Sequence, residues 1–193
     1  MPARLLKGPF TVDDYHRLAE VGILGEDDRV ELLDGQIVEM SPIGPRHAGC
    51  VKALTRLLYR TLGDAVVLGI QDPAVLGTRS EPQPDIAVLK PRADSYRSAH
   101  PRPEDILLVI EVADTSLESD RDVKLPLYAG AGIPEAWLVD LEHDVVAVHR
   151  HPGPGAYQDI RTMGRGDALT VPLVAMGSIL VDDVLGPPAV VTP

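Results

Sequence analysis

Asp85 follows Pro84 at the entrance to one apolar run, Ile86 to Leu89, and Glu111 stands 26 positions later at the exit of another, Ile106 to Val112. A carboxylate at the end of such a run costs on the order of several kcal/mol if it is desolvated alone. Burial is therefore tolerable only with a cation, a hydrogen-bonding network or an opening to water. A metal ion is one such partner. Two carboxylates and a strand carbonyl, for instance that of Val112, leave coordination positions for waters and a substrate phosphate, which suits Mg²⁺ or Mn²⁺. An ion held this way polarises a phosphodiester and supplies hydroxide for attack. Each carboxylate also has a plainer reading. Asp85 after Pro is a common turn residue, and Glu111 could accept backbone N–H bonds from Thr115 or Ser116 in the loop that follows.

Positioning two such side chains requires strands, and the pattern supplies them. Thr11 is a helix N-cap with Asp14 three residues on and Phe10 placed to staple onto Tyr15, so a first helix is expected from Val12 to Glu20. Val30 to Leu33 and Gln36 to Met40 flank Asp34-Gly35, a dipeptide that provides positive φ in a two-residue hairpin turn. After the Pro/Gly break at 41–45, Val51, Leu54, Leu57, Leu58 and Leu62 recur at helical spacing. Short β-branched runs follow at Ala65 to Ile70, Val75 to Gly77, Ile86 to Leu89 and Ile106 to Val112. The stretch Leu107-Leu108-Val109-Ile110 does not alternate, as expected of a central strand covered on both faces. A third helix is expected over Asp120 to Gly130, starting late near Asp122 because Pro126 lacks the N–H an interior position donates. Two more strands, Ala136 to Asp140 and Val145 to His149, precede a small appendage at Leu169 to Val171 and Ser178 to Val181. The expected organisation is one domain over 1–185 and a flexible tail over 186–193.

The formal net charge of −11 argues against a protein that coats nucleic acid, because phosphate binding draws on a broad basic field. Contact with DNA would have to be local, through the stripe Lys52, Arg56, Arg60 or through Arg92 and Arg97 in the basic segment 90–102. The single Cys50 excludes an internal disulfide, and no apolar run approaches the roughly 20 residues of a bilayer crossing, so a cytoplasmic setting is expected. His47 heads the second helix, where it could touch a phosphate or orient a water, although a His in that place is more often structural. His149 and His151 alternate as a zinc pair would, without a third ligand nearby. Phosphate loops, dinucleotide fingerprints and nucleophile elbows are absent from the sequence.

Pro84-Asp85, Glu111-Val112-Ala113, Asp120 with Lys124, and the run Gly132-Ile133-Pro134-Glu135-Ala136-Trp137-Leu138-Val139-Asp140 together resemble the Uma-type family of restriction endonucleases, within the PD-(D/E)XK nuclease superfamily. The resemblance extends upstream through Glu31-Leu32-Leu33-Asp34-Gly35 and Met40-Ser41-Pro42 with His47, covering roughly residues 11 to 181. It implies an α/β restriction-endonuclease-like fold: a central mixed sheet flanked by helices, an N-terminal helix and hairpin, and a small C-terminal β appendage. It also implies that Asp85 and Glu111 hold the metal, that Glu31 can complete the metal shell, and that the chain works as a homodimer. Ala113 stands where the superfamily's E-x-K element carries its lysine. Lys124, which shares one helical face with Asp120 and Tyr128, is the natural substitute, a point charge that orients the attacking water and offsets transition-state charge. The expected activity is metal-dependent hydrolysis of DNA phosphodiester bonds. Its rivals are an inactive nuclease-fold binding or assembly module and an enzyme acting on a smaller phosphate ester.

Overall fold

The computed structural model describes residues 8–25, 27–170 and 178–187. Helix α1 (Val12–Glu20) begins at Thr11, whose hydroxyl accepts the Asp14 N–H at 3.1 Å while Asp14 accepts the Thr11 N–H at 3.0 Å. These reciprocal bonds satisfy two donors that a helix start otherwise leaves free. Strands β1 (Val30–Leu33) and β2 (Gln36–Glu39) pair around Asp34 and Gly35, which take φ of 44° and 79° as a primed hairpin turn demands. Helix α2 (Pro45–Leu62) buries Cys50, Val51, Leu54, Leu58 and Leu62 along one stripe.

Six strands form the main sheet in chain order: β3 (Val67–Ile70), β4 (Ile86–Leu89), β5 (Ile106–Ala113), β6 (Glu135–Asp140), β7 (Val145–Gly153) and β8 (Ala156–Met163). All neighbours are antiparallel except β5 and β6, whose parallel pairing requires a crossover. That crossover contains α3 (Leu117–Ser119), a π turn (Asp120–Lys124) and α4 (Leu125–Gly130). Strands β9 (Ala168–Leu169) and β10 (Ile179–Leu180) pair beside helix α5 (Val181–Leu185).

Strand β5 is the buried middle its apolar run predicts. Leu108, Ile110 and Val112 join the core that packs with α2 and α5, while Val109 and Ala113 join a second core with Leu125, Tyr128 and Ala129 of α4. Alternation across a strand therefore puts Glu111 on the α4 face.

Several expectations are corrected. Val75 to Gly77 is not a strand: the Leu76 N–H closes onto the Ser80 carbonyl at 2.9 Å and Gly77 takes φ 127°, outside the β region. Strand β3 begins at Val67 because a 3₁₀ turn occupies Gly63–Ala65. The crossover helix starts at Leu117, ahead of Asp122, and accommodates Pro126 by a π turn in which the Leu125 N–H reaches back five residues to the Asp120 carbonyl. Widening the helix there gives room to a ring that would otherwise press on the carbonyl four residues before it. Strand β7 runs on to Gly153, and β8 was not anticipated at all: Pro154-Gly155, with Gly155 at φ 78°, turns the chain back onto β7. The stretch from Ser178 yields only the short β10 before α5 begins at Val181. Val171 and the tail residues 188–193 lie outside the described residues.

Candidate metal centre

The β4–β5 register pairs Ile86 with Ile110, so Asp85 sits one residue before the start of β4, alongside the exit of β5. There its Oδ2 accepts the Val112 N–H at 2.9 Å, completing a ladder that β4 is too short to continue. His47 Nε2, from the first turn of α2, reaches the same oxygen at 2.9 Å. Gln71 Nε2 donates to Oδ1 at 3.2 Å from the end of β3, where its backbone has φ 55° and its N–H bonds the Asp85 carbonyl. Sequence reasoning missed Gln71; its place depends on the β3–β4 register, and its residue type carries no chemical signature.

Glu111 is 2% exposed, and its Oε1 accepts the Tyr128 hydroxyl. Lys124, delivered by the π turn, lies with Nζ 3.4 Å from Glu111 Oε1 and 3.2 Å from Glu31 Oε2. Glu31 enters on β1, whose hairpin is tied to the Ser80–Gln83 segment by a backbone bridge from Leu32 to Glu81, and its Oε2 also accepts the Gln83 N–H at 3.0 Å. Asp120, equally buried, accepts the Ser116 hydroxyl at 2.6 Å. The plain reading of Glu111 fails, since its partners are Tyr128 and Lys124, and it is Asp120 that takes Ser116. Ala113, 1% exposed, faces the same side as Glu111 against the α4 core, so the position of the missing lysine is filled by packing while Lys124 brings the ammonium from the crossover.

Glu31, His47, Gln71, Gln83, Asp85, Glu111, Ser116, Asp120 and Lys124 line one cleft of about 620 Å³. Burial pushes the Glu111 carboxyl well above the usual carboxylate range, and the charges of Asp120 and Asp85 push the same way against Lys124 and the Tyr128 hydrogen bond. Burial likewise raises Asp120, opposed by its bond from Ser116. Lys124 is desolvated, yet Glu111, Glu31 and Asp120 outweigh that and hold its ammonium above the ordinary lysine value. The Asp85 hydrogen bond raises His47, burial opposing. Four buried carboxylates, two of them raised chiefly by burial, thus share one buried lysine, a formal excess of negative charge.

Such an excess is what a divalent cation relieves. Among the described residues, no three His, Cys, Asp or Glu side chains group as a metal site by themselves. The donors available are instead the Asp85 and Glu111 carboxylates and a carbonyl. The Ala113 carbonyl accepts the Leu141 N–H on the β6 side, whereas the Val112 N–H points to Asp85 on the β4 side. In an extended strand a residue's N–H and C=O share an edge, so the Val112 carbonyl faces Asp85. A two-carboxylate, one-carbonyl set completed by water is typical of Mg²⁺ sites, which keep several waters.

The basic residues named from sequence lie elsewhere. Lys52, Arg56 and Arg60 are exposed on the outer side of α2, and Arg60 is about 20 Å along the helix from His47 at 1.5 Å per residue. Arg92 is committed to its own loop, pairing with Asp94 at 2.7 Å and covering the Tyr96 ring. Arg97 is exposed in that loop, which leaves β4 at the end of the sheet opposite Asp85. None of the five lines the cleft, while Arg29, not singled out from sequence, does. His149 is buried edge-on against Tyr157 and His151 is exposed at φ 57°, which breaks the alternation a zinc pair would need.

The fold and this cleft define a nuclease-like protein of the restriction-endonuclease class. Residues 12–180 match the Uma2 family, described as "putative restriction endonuclease", and the chain belongs to that family. It is similar in fold to a "putative nuclease belonging to DUF820" from Anabaena variabilis, at 18% identity and TM-score 0.74, over 92% of this chain and 98% of that one. It also aligns with the type IIG restriction endonuclease BpuSI at 16% identity and TM-score 0.44, over 76% of this chain and 17% of that one. A search of curated protein sequences gave no significant match. No helix among the described residues is long and apolar enough to cross a membrane.

Proposed function

We propose that the chain is a Mg²⁺- or Mn²⁺-dependent endonuclease that hydrolyses DNA phosphodiester bonds, with residues 1–185 as its working unit in the cytoplasm. The observation that carries this reading is the Lys124 ammonium lying between Glu31 and Glu111 in the cleft that also holds Asp85. Asp85, Glu111 and the Val112 carbonyl would hold the ion, with Glu31 in reserve. The ion would supply Lewis acidity and a water of lowered pKa. Each residue of the chain then has a defined task. Lys124 holds a positive charge beside the scissile phosphate and orients the attacking water. Tyr128 fixes one oxygen of Glu111, leaving the other free to bind. Gln71 and His47 fix the Asp85 carboxylate from two sides. Cutting both strands of a duplex requires two such clefts, so for that outcome the chain acts as a homodimer.

Purified protein with Mn²⁺ should nick or linearise supercoiled plasmid, and Asp85→Ala should remove the activity; cleavage that persists in the variant contradicts the assignment. A second reading, hydrolysis of a smaller phosphate ester, is favoured by the net charge of −11 and by a cleft whose charged lining residues are mostly acidic. Competition of nucleotides against plasmid DNA separates the two.

A further inference from the structure

Among the described residues the main sheet ends at β8 (Ala156–Met163), an eight-residue strand paired on one side only, with β7. Among the described residues no hydrogen bond reaches its outer edge from any other element. Long open edges invite pairing with another chain, and proteins usually shorten, cover or charge them. This edge carries charge in a particular order: Asp159 and Arg161 flank Ile160, and they share one face while Ile160 stands on the other. Ile160 is 58% exposed, one of few large apolar side chains left in solvent. A charge screen against aggregation would gain nothing from such symmetry.

We propose that the β8 edge pairs antiparallel with the β8 edge of a second copy of this chain, about a two-fold axis at Ile160. In an antiparallel pair centred there, residue i faces residue 320 − i, so Asp159 lies opposite the partner's Arg161 and Arg161 opposite the partner's Asp159. The two Ile160 side chains face each other, and Gln158 lies opposite the partner's Thr162. Directly opposed residues have Cβ atoms about 4.5–5.5 Å apart, close enough for both the ion pairs and the apolar contact. Centring the axis on Asp159 or on Arg161 would oppose like charges, so charge complementarity selects the Ile160 register. Position 160 is also the midpoint of residues 157–163, which uses nearly the whole strand. Arg161 already lies 3.4 Å from Asp159 of its own strand, and pairing converts that weak, exposed contact into two crossed ones. The product is a continuous twelve-stranded sheet in which each copy keeps its own cleft, since β8 is three strands from β5. Nothing in this depends on whether that cleft binds metal or cuts DNA.

The test is the oligomeric state by light scattering at several concentrations. The wild-type chain should be a dimer. Arg161→Asp places two carboxylates opposite each other twice over, and Asp159→Arg does the same with two guanidiniums, so each should weaken dimerisation by about tenfold or more with an unchanged melting temperature for the monomer. The double exchange D159R/R161D restores opposite charges in every pair and should restore the dimer. A mixture of the two single variants should form a heterodimer, because one chain is then basic at both positions and the other acidic at both. A monomeric wild type overturns the proposal, as does a dimer indifferent to the single changes or a mixture that does not associate.

Discussion

Lys124 is the side chain on which the site turns. It is 7% exposed and its nearest charges are Glu31 and Glu111, so removing it strands two buried carboxylates. Lys124→Met should cost about 3–5 kcal/mol of stability, the range found when one partner of a buried ion pair is deleted. Because a divalent cation can stand in for the lost charge, added Mg²⁺ should raise the variant's melting temperature more than it raises the wild type's. Calorimetry with and without Mg²⁺ checks both parts, and a variant as stable as the wild type would contradict the assigned role. Asp85 and Glu111 were legible in the sequence because a charge at the end of an apolar run is anomalous, and Lys124 through the family resemblance and the helical face it shares with Asp120 and Tyr128. Gln71, Gln83 and Ser116 were not, since small or neutral polar residues in loops carry no such anomaly until strand register sets them beside a carboxylate.

At the scale of elements, the hairpin is what delivers Glu31, and its turn has little slack. Gly35 takes φ 79°, and a Cβ there would lie 2.9 Å from Cβ of Pro9 and 3.2 Å from the Phe10 nitrogen. Gly35→Ala should therefore destabilise the chain by about 1–3 kcal/mol, the cost of a non-glycine residue held in that region. It should also weaken metal-dependent stabilisation by displacing Glu31, and a thermal melt with and without Mn²⁺ reads both effects. The Asp34-Gly35 dipeptide announced this element, and the unbroken apolar run announced β5. Two elements stayed hidden for opposite reasons. Strand β8 is an exposed edge with Tyr157 as its only fully buried side chain, so the alternation that marks a half-buried strand is missing. The π turn is set by packing: Pro126 signals trouble in a helix, but whether the chain starts late or widens depends on what Asp120 and Lys124 reach.

For the molecule as a whole, the acidic balance that argues against nucleic-acid coating concentrates where a cation would sit, with Glu31, Asp85, Glu111 and Asp120 in one cleft. A polyanion approaches such a cleft only after the cleft's charge is offset, so on the proposed function a divalent ion would be a condition of binding as well as of chemistry. The order of motifs along the chain was sufficient to indicate the family and the layered sheet. It did not reveal that the five basic residues expected to meet DNA lie away from the cleft, because side-chain type does not specify which end of a sheet a loop occupies. The most direct measurement is anomalous diffraction from a crystal soaked in Mn²⁺. The account predicts a peak about 2.1 Å from one carboxylate oxygen each of Asp85 and Glu111; a peak bound by neither, or no peak in this cleft at saturating Mn²⁺, would contradict it.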